Sequence, residues 1–156
     1  MPSRRDLIRM SDREIRAYLD AQRRVILVTN GPGGLPHPVP MEFGLDADGA
    51  IVVTGFRKSQ KIKNLERDPR ATLLFESGTQ YRELQGVIAY CNAEIIHDPG
   101  VVRQVMRLVR ASAELAASMS EAMSAQVQAS IAKRVVVRLQ PFRFVSWDHA
   151  KLTNGY

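Results

Sequence analysis

Two spacings of apolar residues run through the chain. Ile15, Tyr18 and Leu19 have the three- and four-residue spacing of a helix that turns one face to a core. Ahead of them, Ser11-Asp12-Arg13-Glu14 reads as a capping box, in which the Ser11 hydroxyl and the Glu14 carboxylate each satisfy an orphan backbone N–H. Met10 and Ile15 fall at the staple positions, so a helix over residues 11–22 is predicted. A β rhythm follows. Residues 24–29 (RVILVT) are a β-branched run closed by Asn30-Gly31-Pro32-Gly33-Gly34. Residues 35–43 (LPHPVPMEF) are extended but carry Pro36, Pro38 and Pro40. Proline cannot donate to a ladder, so every second amide of this segment faces away from pairing. That fits an edge strand, or one whose free face meets a ligand.

Asp46-Ala47-Asp48-Gly49 turns the chain into a buried strand over residues 50–54. A short helix over residues 59–67 is stopped by Asp68-Pro69. Residues 71–76 and 86–96 read as two further strands. After Asp98-Pro99-Gly100, residues 101–134 contain neither Gly nor Pro. Leu115, Met119, Met123, Val127 and Ile131 recur there at every fourth position, the spacing of one long helix or two packed ones. Residues 135–139 and 142–147 close the chain as strand, interrupted by Pro141. The sum is a mainly β chain with helices (α+β). About six short strands joined by turns predict an antiparallel barrel, closed or nearly so, with a helical insertion before the last strand. No repeat or linker divides residues 1–156, so a single domain is expected.

Composition narrows the function classes. A chain of 156 residues with 45% hydrophobic and 24% charged residues can bury a core without staples. The single cysteine, Cys91, excludes an internal disulfide and a cysteine-based zinc site. No apolar run approaches the roughly 18 residues of a membrane span, and MPSRRDLIRM lacks the apolar core of a secretory signal. A cytoplasmic protein is the expectation. The net charge of +6 permits an anionic partner without choosing it.

The most informative stretch is Thr54-Gly55-Phe56-Arg57-Lys58-Ser59-Gln60-Lys61-Ile62-Lys63-Asn64. It leaves a strand and enters a helix with Arg57, Lys58, Lys61 and Lys63 in and before the first turn. Cations there oppose the helix dipole and cost about 0.3–1 kcal/mol each. Cations at a helix N-terminus suit a phosphate, with Ser59 as cap and donor; the plainer reading is a solvated basic face. Elsewhere the chemistry is thin. The acids Asp12, Glu14, Asp46, Asp48 and Asp68 are caps and turn residues. His37, His97 and His149 lack the spacing of a metal motif, so no metal is expected. Cys91 reads as a buried inert thiol. Trp147, the only tryptophan, reads as a core or interface anchor, or as an aromatic wall beside a planar ligand.

In order, RVILVTNGPGGLPHPVPMEF, IVVTGFRKSQKIKNLERDPRATLLFE, QGVIAYCNAEI and VVVRLQPFRFVSWDHAKL resemble the pyridoxamine 5′-phosphate oxidase-like split-barrel flavoproteins, nearest the branch that includes deazaflavin-dependent reductases. The resemblance covers residues 11–99 and 134–152. It implies a homodimer of six-stranded split barrels with two flavin sites at the interface. Carried over position by position, Val39, Pro40 and Met41 would line the isoalloxazine edge with backbone groups. Thr54 and Gly55 would flank the ribityl chain. Ser59, Gln60 and Lys61 would hold the phosphate with Arg57 and Asn64 nearby, and Trp147 would approach from the partner chain. Many relatives have Ser-Arg-Lys where this chain has Ser59-Gln60-Lys61, so one guanidinium is missing from the grip. The Arg-containing end motif of true pyridoxamine-phosphate oxidases is also missing from residues 146–156, which argues against vitamin oxidation.

The expectation is therefore an FMN- or deazaflavin-dependent oxidoreductase acting on a small organic substrate, with 8-hydroxy-5-deazaflavin coenzyme as the alternative to FMN and no catalytic side chain assigned. The second reading is a flavin- or haem-binding module without turnover. The third is a nucleic-acid-binding protein. Aromatics at 6%, not interleaved with the basic loop, put it last.

Overall fold

The computed structural model describes residues 3–109 and 121–152. A short helix α1 (Arg4–Leu7) and helix α2 (Asp12–Ala21) precede strand β1 (Arg24–Asn30). The capping box forms as read. Ser11 N–H donates to Glu14 Oε2 at 2.6 Å, and Glu14 N–H donates to Ser11 Oγ at 3.3 Å. Ile15, Tyr18 and Leu19 enter the core beside Met10. Then follow β2 (Pro36–Glu42), β3 (Gly44–Leu45), β4 (Ile51–Phe56), α3 (Gln60–Arg67), β5 (Arg70–Ser77), β6 (Gln85–Ile96), α4 (Pro99–Leu108), α5 (Glu121–Ala132) and β7 (Arg134–Asp148). The central part of the expected insertion, with Leu115 and Met119, lies outside the described residues, and so do the side-chain contacts of Met123.

The strands form one antiparallel sheet in the order β2-β1-β5-β6-β7-β4-β3. Seven strands replace the expected six, because the proline-rich segment is two. It pairs with β1 through Glu42, bends at the buried Phe43, and pairs with β4 through Gly44 and Leu45. One continuous segment thus joins the two edges of the sheet and curls it into a half-barrel, as a split barrel requires. The second correction concerns Pro141. β7 runs through it unbroken; Pro141 faces Cys91 and Arg143 faces Tyr90, which leaves Phe142 as an extra residue in a bulge.

The main core fills the half-barrel with Leu27, Ile51, Val53, Leu73, Phe75, Val87, Val135, Val137 and Leu139, closed by Ile62 and Leu65 of α3. Each fully buried side chain of this size contributes about 1.5–3 kcal/mol. A second cluster lies on the other face of β4 and β7, where Val52 and Val136 pack under Val102, Val105 and Val109 of the α4 segment and Ile131 of α5. β4 is therefore covered on both faces, which explains its uninterrupted apolar run.

Candidate functional site

The basic loop lies where β4, α3 and the start of β7 meet. Ser59 is the N-cap of α3, and Lys63 N–H donates to its carbonyl at 3.2 Å. Its hydroxyl does not cap the helix; it donates to the Phe56 carbonyl at 2.7 Å. Gly55 shapes the loop. A Cβ there would stand 3.1 Å from Lys61 Cε and 3.4 Å from Ile62 Cδ1, so the missing side chain lets Lys61 lie across the strand end. Lys61 is half-buried, and desolvation, helped by the charge of Arg134, lowers its pKa from the ordinary lysine range.

The loop is latched to the end of the insertion. Arg57 N–H donates to the Lys133 carbonyl at 2.9 Å, and the Arg57 guanidinium reaches the Ala132 carbonyl at 3.5 Å. Arg134, the partner of Phe56 in the β4–β7 ladder, was missed in the sequence. Its Nε donates to Ser130 Oγ at 3.0 Å, its Nη1 donates to Thr54 Oγ1 at 3.3 Å, and its Cζ stands 4.3 Å from the Phe56 ring centroid. Only the β4–β7 register brings these residues together, so no local signal could have found it. Arg57, Lys58, Lys61, Lys133 and Arg134 form no ion pair with a carboxylate among the described residues.

Thr54, Gly55, Arg57, Ser59, Gln60 and Lys61 thus meet at one corner. Asn64 lies beneath it, fully buried. Its Nδ2 donates to Thr29 Oγ1 at 2.9 Å and its Oδ1 accepts from Gln60 Nε2 at 2.8 Å, so it ties α3 to β1.

Val39, Pro40 and Met41 lie on edge strand β2, which pairs with β1 and not with the strands of this corner. Gly31 N–H donates to the Leu35 carbonyl at 2.8 Å, which sets the alternation along the β1–β2 ladder. His37, Val39 and Met41 therefore turn their N–H groups to Thr29, Leu27 and Val25. Pro36, Pro38 and Pro40 face the free edge with carbonyls and no N–H. Of the three candidate residues only Pro40 offers that edge a backbone group.

Trp147 stands at the opposite end of β7 from Arg134. Its indole crosses Gly86, where a Cβ would be 2.1 Å from the ring. It shares the outer sheet face with a row of cross-strand neighbours, Pro40, Ile26, Leu74, Ile88 and Val145. The last four are half-buried, and no helix of the described chain packs over this row.

Other candidates do not converge. The Cys91 thiol is buried and its pKa is pushed up to about 12, so it is no nucleophile at neutral pH. His149 Nδ1 lies 2.9 Å from the Tyr81 carbonyl, His37 is on β2 and His97 follows β6. No group of three or more His, Cys, Asp or Glu residues among those described is placed to hold a metal. No described helix is long and apolar enough to cross a membrane.

The half-barrel, its proline-rich edge strand and the basic strand-to-helix loop define a split-barrel class of protein. The family model described as pyridoxamine 5′-phosphate oxidase matches residues 11–148, and the chain belongs to this family. The crystal structure of the conserved hypothetical protein Rv2991 from Mycobacterium tuberculosis is 35% identical, covers 99% of this chain and 95% of its own, and superposes with a TM-score of 0.83. An FAD-binding protein, mll6688 from Mesorhizobium loti, is 19% identical over 88% of this chain and 94% of its own, with a TM-score of 0.66. An F420 reductase is 20% identical over 83% and 94%, with a TM-score of 0.62. At those identities the last two show the shared fold. No curated protein sequence matches this chain.

Proposed function

We propose that this protein binds a phosphorylated flavin, FMN or an 8-hydroxy-5-deazaflavin, and uses it as an oxidoreductase on a small organic substrate. The observation that carries the reading is the half-buried Lys61 laid across Gly55 with no carboxylate partner among the described residues. Withdrawing an ammonium from water without a counter-charge is unfavourable, and a phosphate supplies one. Arg57 and the α3 N-terminus add positive potential, and Thr54 and Gly55 flank the approach. Ser59 joins the grip by releasing the Phe56 carbonyl. Family membership, and the names of the FAD-binding protein and the F420 reductase that share the fold, support a flavin as the bearer of that phosphate.

When bound, the flavin ring supplies the hydride chemistry. This chain's residues hold and orient it and keep water away, which is consistent with the lack of a convergent acid–base pair among the described residues. The Pro40 carbonyl at the donor-free edge of β2 suits the ring N–H of a flavin. A homodimer is part of the proposal: a second copy covers the row of Ile26, Leu74, Ile88 and Val145 and brings the Trp147 of the partner subunit toward the ring.

The test is spectral titration of the purified protein with FMN and with the deazaflavin. Saturable binding near one per chain, followed by reduction of a quinone, nitro or enone acceptor, is the expected result. Equally weak, millimolar binding of both cofactors overturns the reading. Tight binding without turnover leaves a carrier.

A further inference from the structure

We infer that Arg134 is the second cationic ligand of the phosphate, held in place by Ser130; this rests on the flavin-phosphate reading and adds the residue that completes its site. The guanidinium is fixed on two sides, by Ser130 Oγ from the end of α5 and by Thr54 Oγ1 from β4, and a third surface is covered by the Phe56 ring. A guanidinium carries five N–H groups. The two hydrogen bonds take one on Nε and one on Nη1, which leaves three. No carboxylate among the described residues meets them: the ion pairs among those residues join Arg9 to Asp6, Arg70 to Asp68, Arg138 to Asp46 and Asp48, and Lys151 to Glu14.

Gln60 does not fill this role, because its amide nitrogen donates to Asn64 Oδ1 and its side chain is neutral. Arg57 is exposed and reaches back to the Ala132 carbonyl. Arg134 is instead half-buried, and it flanks the strand end that Lys61 crosses: Phe56 is its ladder partner and Thr54 its hydrogen-bond partner, the two neighbours of Gly55. Desolvation lowers its pKa as well. Two half-buried cations thus flank one glycine, neither with a carboxylate among the described residues, and such a pair suits an anion of more than one negative charge or with several acceptor oxygens. The phosphate of a flavin has that chemistry, whether monoester or diester. The arrangement also makes the helical insertion part of the cofactor site, since Ser130 belongs to α5.

The experiment compares wild type, Lys61→Gln, Arg134→Gln, Arg134→Lys and Ser130→Ala in titrations with FMN, with the phosphodiester-bearing deazaflavin and with riboflavin. Arg134→Gln is expected to weaken both phosphate-bearing ligands by about 10- to 100-fold and to leave riboflavin nearly unchanged. Arg134→Lys restores part of the loss. Ser130→Ala, which keeps the arginine and frees it to move, gives a smaller loss confined to the phosphate-bearing ligands. The ligand that wild type binds more tightly identifies the phosphate source. If Lys61→Gln costs phosphate-dependent affinity and Arg134→Gln does not, Arg134 is a strut for the insertion and the inference fails while the flavin reading stands. If wild type itself binds FMN, the deazaflavin and riboflavin equally, both fail. Should Arg134→Gln not fold, Arg134→Lys and Ser130→Ala decide: a loss equal for all ligands overturns the inference.

Discussion

Lys61 lies across Gly55, close enough that a Cβ at position 55 would stand 3.1 Å from its Cε. The glycine supplies the room and the lysine the charge, and the two act as one device at the end of β4. Replacing Lys61 by alanine removes a charged hydrogen-bond donor, worth about 1.5–3 kcal/mol. FMN affinity falls by that amount and riboflavin affinity is nearly unaffected, as fluorescence titration of the two ligands reports. Equal losses for both sink the phosphate role of the loop.

Asn64 and Thr29 make the matching statement about structure. Both are fully buried, and the Asn64 amide donates to the Thr29 hydroxyl at 2.9 Å. Asn64→Ala leaves that hydroxyl without its donor and costs about 1–3 kcal/mol of stability in urea unfolding. Thr29→Val also destabilises, and the double variant loses less than the sum of the two. Additive losses show that the pair does not act as a unit.

Local features of this fold were legible in the sequence, and features set by distant pairing were not. The Ser11–Glu14 box and the Ser59 cap position need only neighbouring residues, so spacing disclosed them. The bend that turns one proline-rich segment into β2 and β3 depends on Phe43 reaching a core built by other strands, and the strand count came out one short. Pro141 looked like a break because its lack of an N–H is visible locally, whereas the bulge at Phe142 that keeps β7 continuous is set by the facing strand β6. The site divides the same way. Lys61 and Gly55 are near neighbours in sequence, but Arg134 meets Thr54 only through the β4–β7 register. The resemblance put Asn64 near the phosphate, and the fold turns its side chain inward onto Thr29.

Trp147 and Gly86 offer a built-in reporter. A Cβ at position 86 would be 2.1 Å from the indole, so Gly86→Ala displaces the only tryptophan of the chain. Overpacking of this kind costs about 1–3 kcal/mol. A lower melting temperature with a red-shifted tryptophan emission is expected. Unchanged emission places the ring elsewhere.

Acid stability turns on Glu14. Lys151 Nζ donates to its Oε2 at 2.8 Å, and that bond, followed by the Ser11 N–H, lowers its pKa from an ordinary 4.5 to about 2. A carboxylate with a depressed folded pKa stabilises the protein above its unfolded value and loses that contribution as pH falls through the folded one. The Glu14 contribution is therefore complete above about pH 5 and disappears between about pH 4.5 and 2. Glu14→Gln is less stable at neutral pH and shows a flatter acid limb over that window in urea midpoints measured against pH. An acid limb identical to wild type removes Glu14 from the account.

The outer sheet face carries the prediction about assembly. Pro40, Ile26, Leu74, Ile88 and Val145 form one row across five strands, and no described helix packs over it. If a second copy covers the row, a carboxylate placed at its centre is desolvated without a partner, at a cost on the order of several kcal/mol. Leu74→Glu then converts a dimer to a monomer in light scattering, while the same charge placed at the exposed Arg103 of α4 leaves the dimer intact. The monomer binds flavin more weakly even though Lys61 and Arg134 are untouched, because the ring loses the surface of the second copy. A wild-type chain that is monomeric, or a Leu74→Glu variant that remains dimeric, assigns this face to something other than self-association.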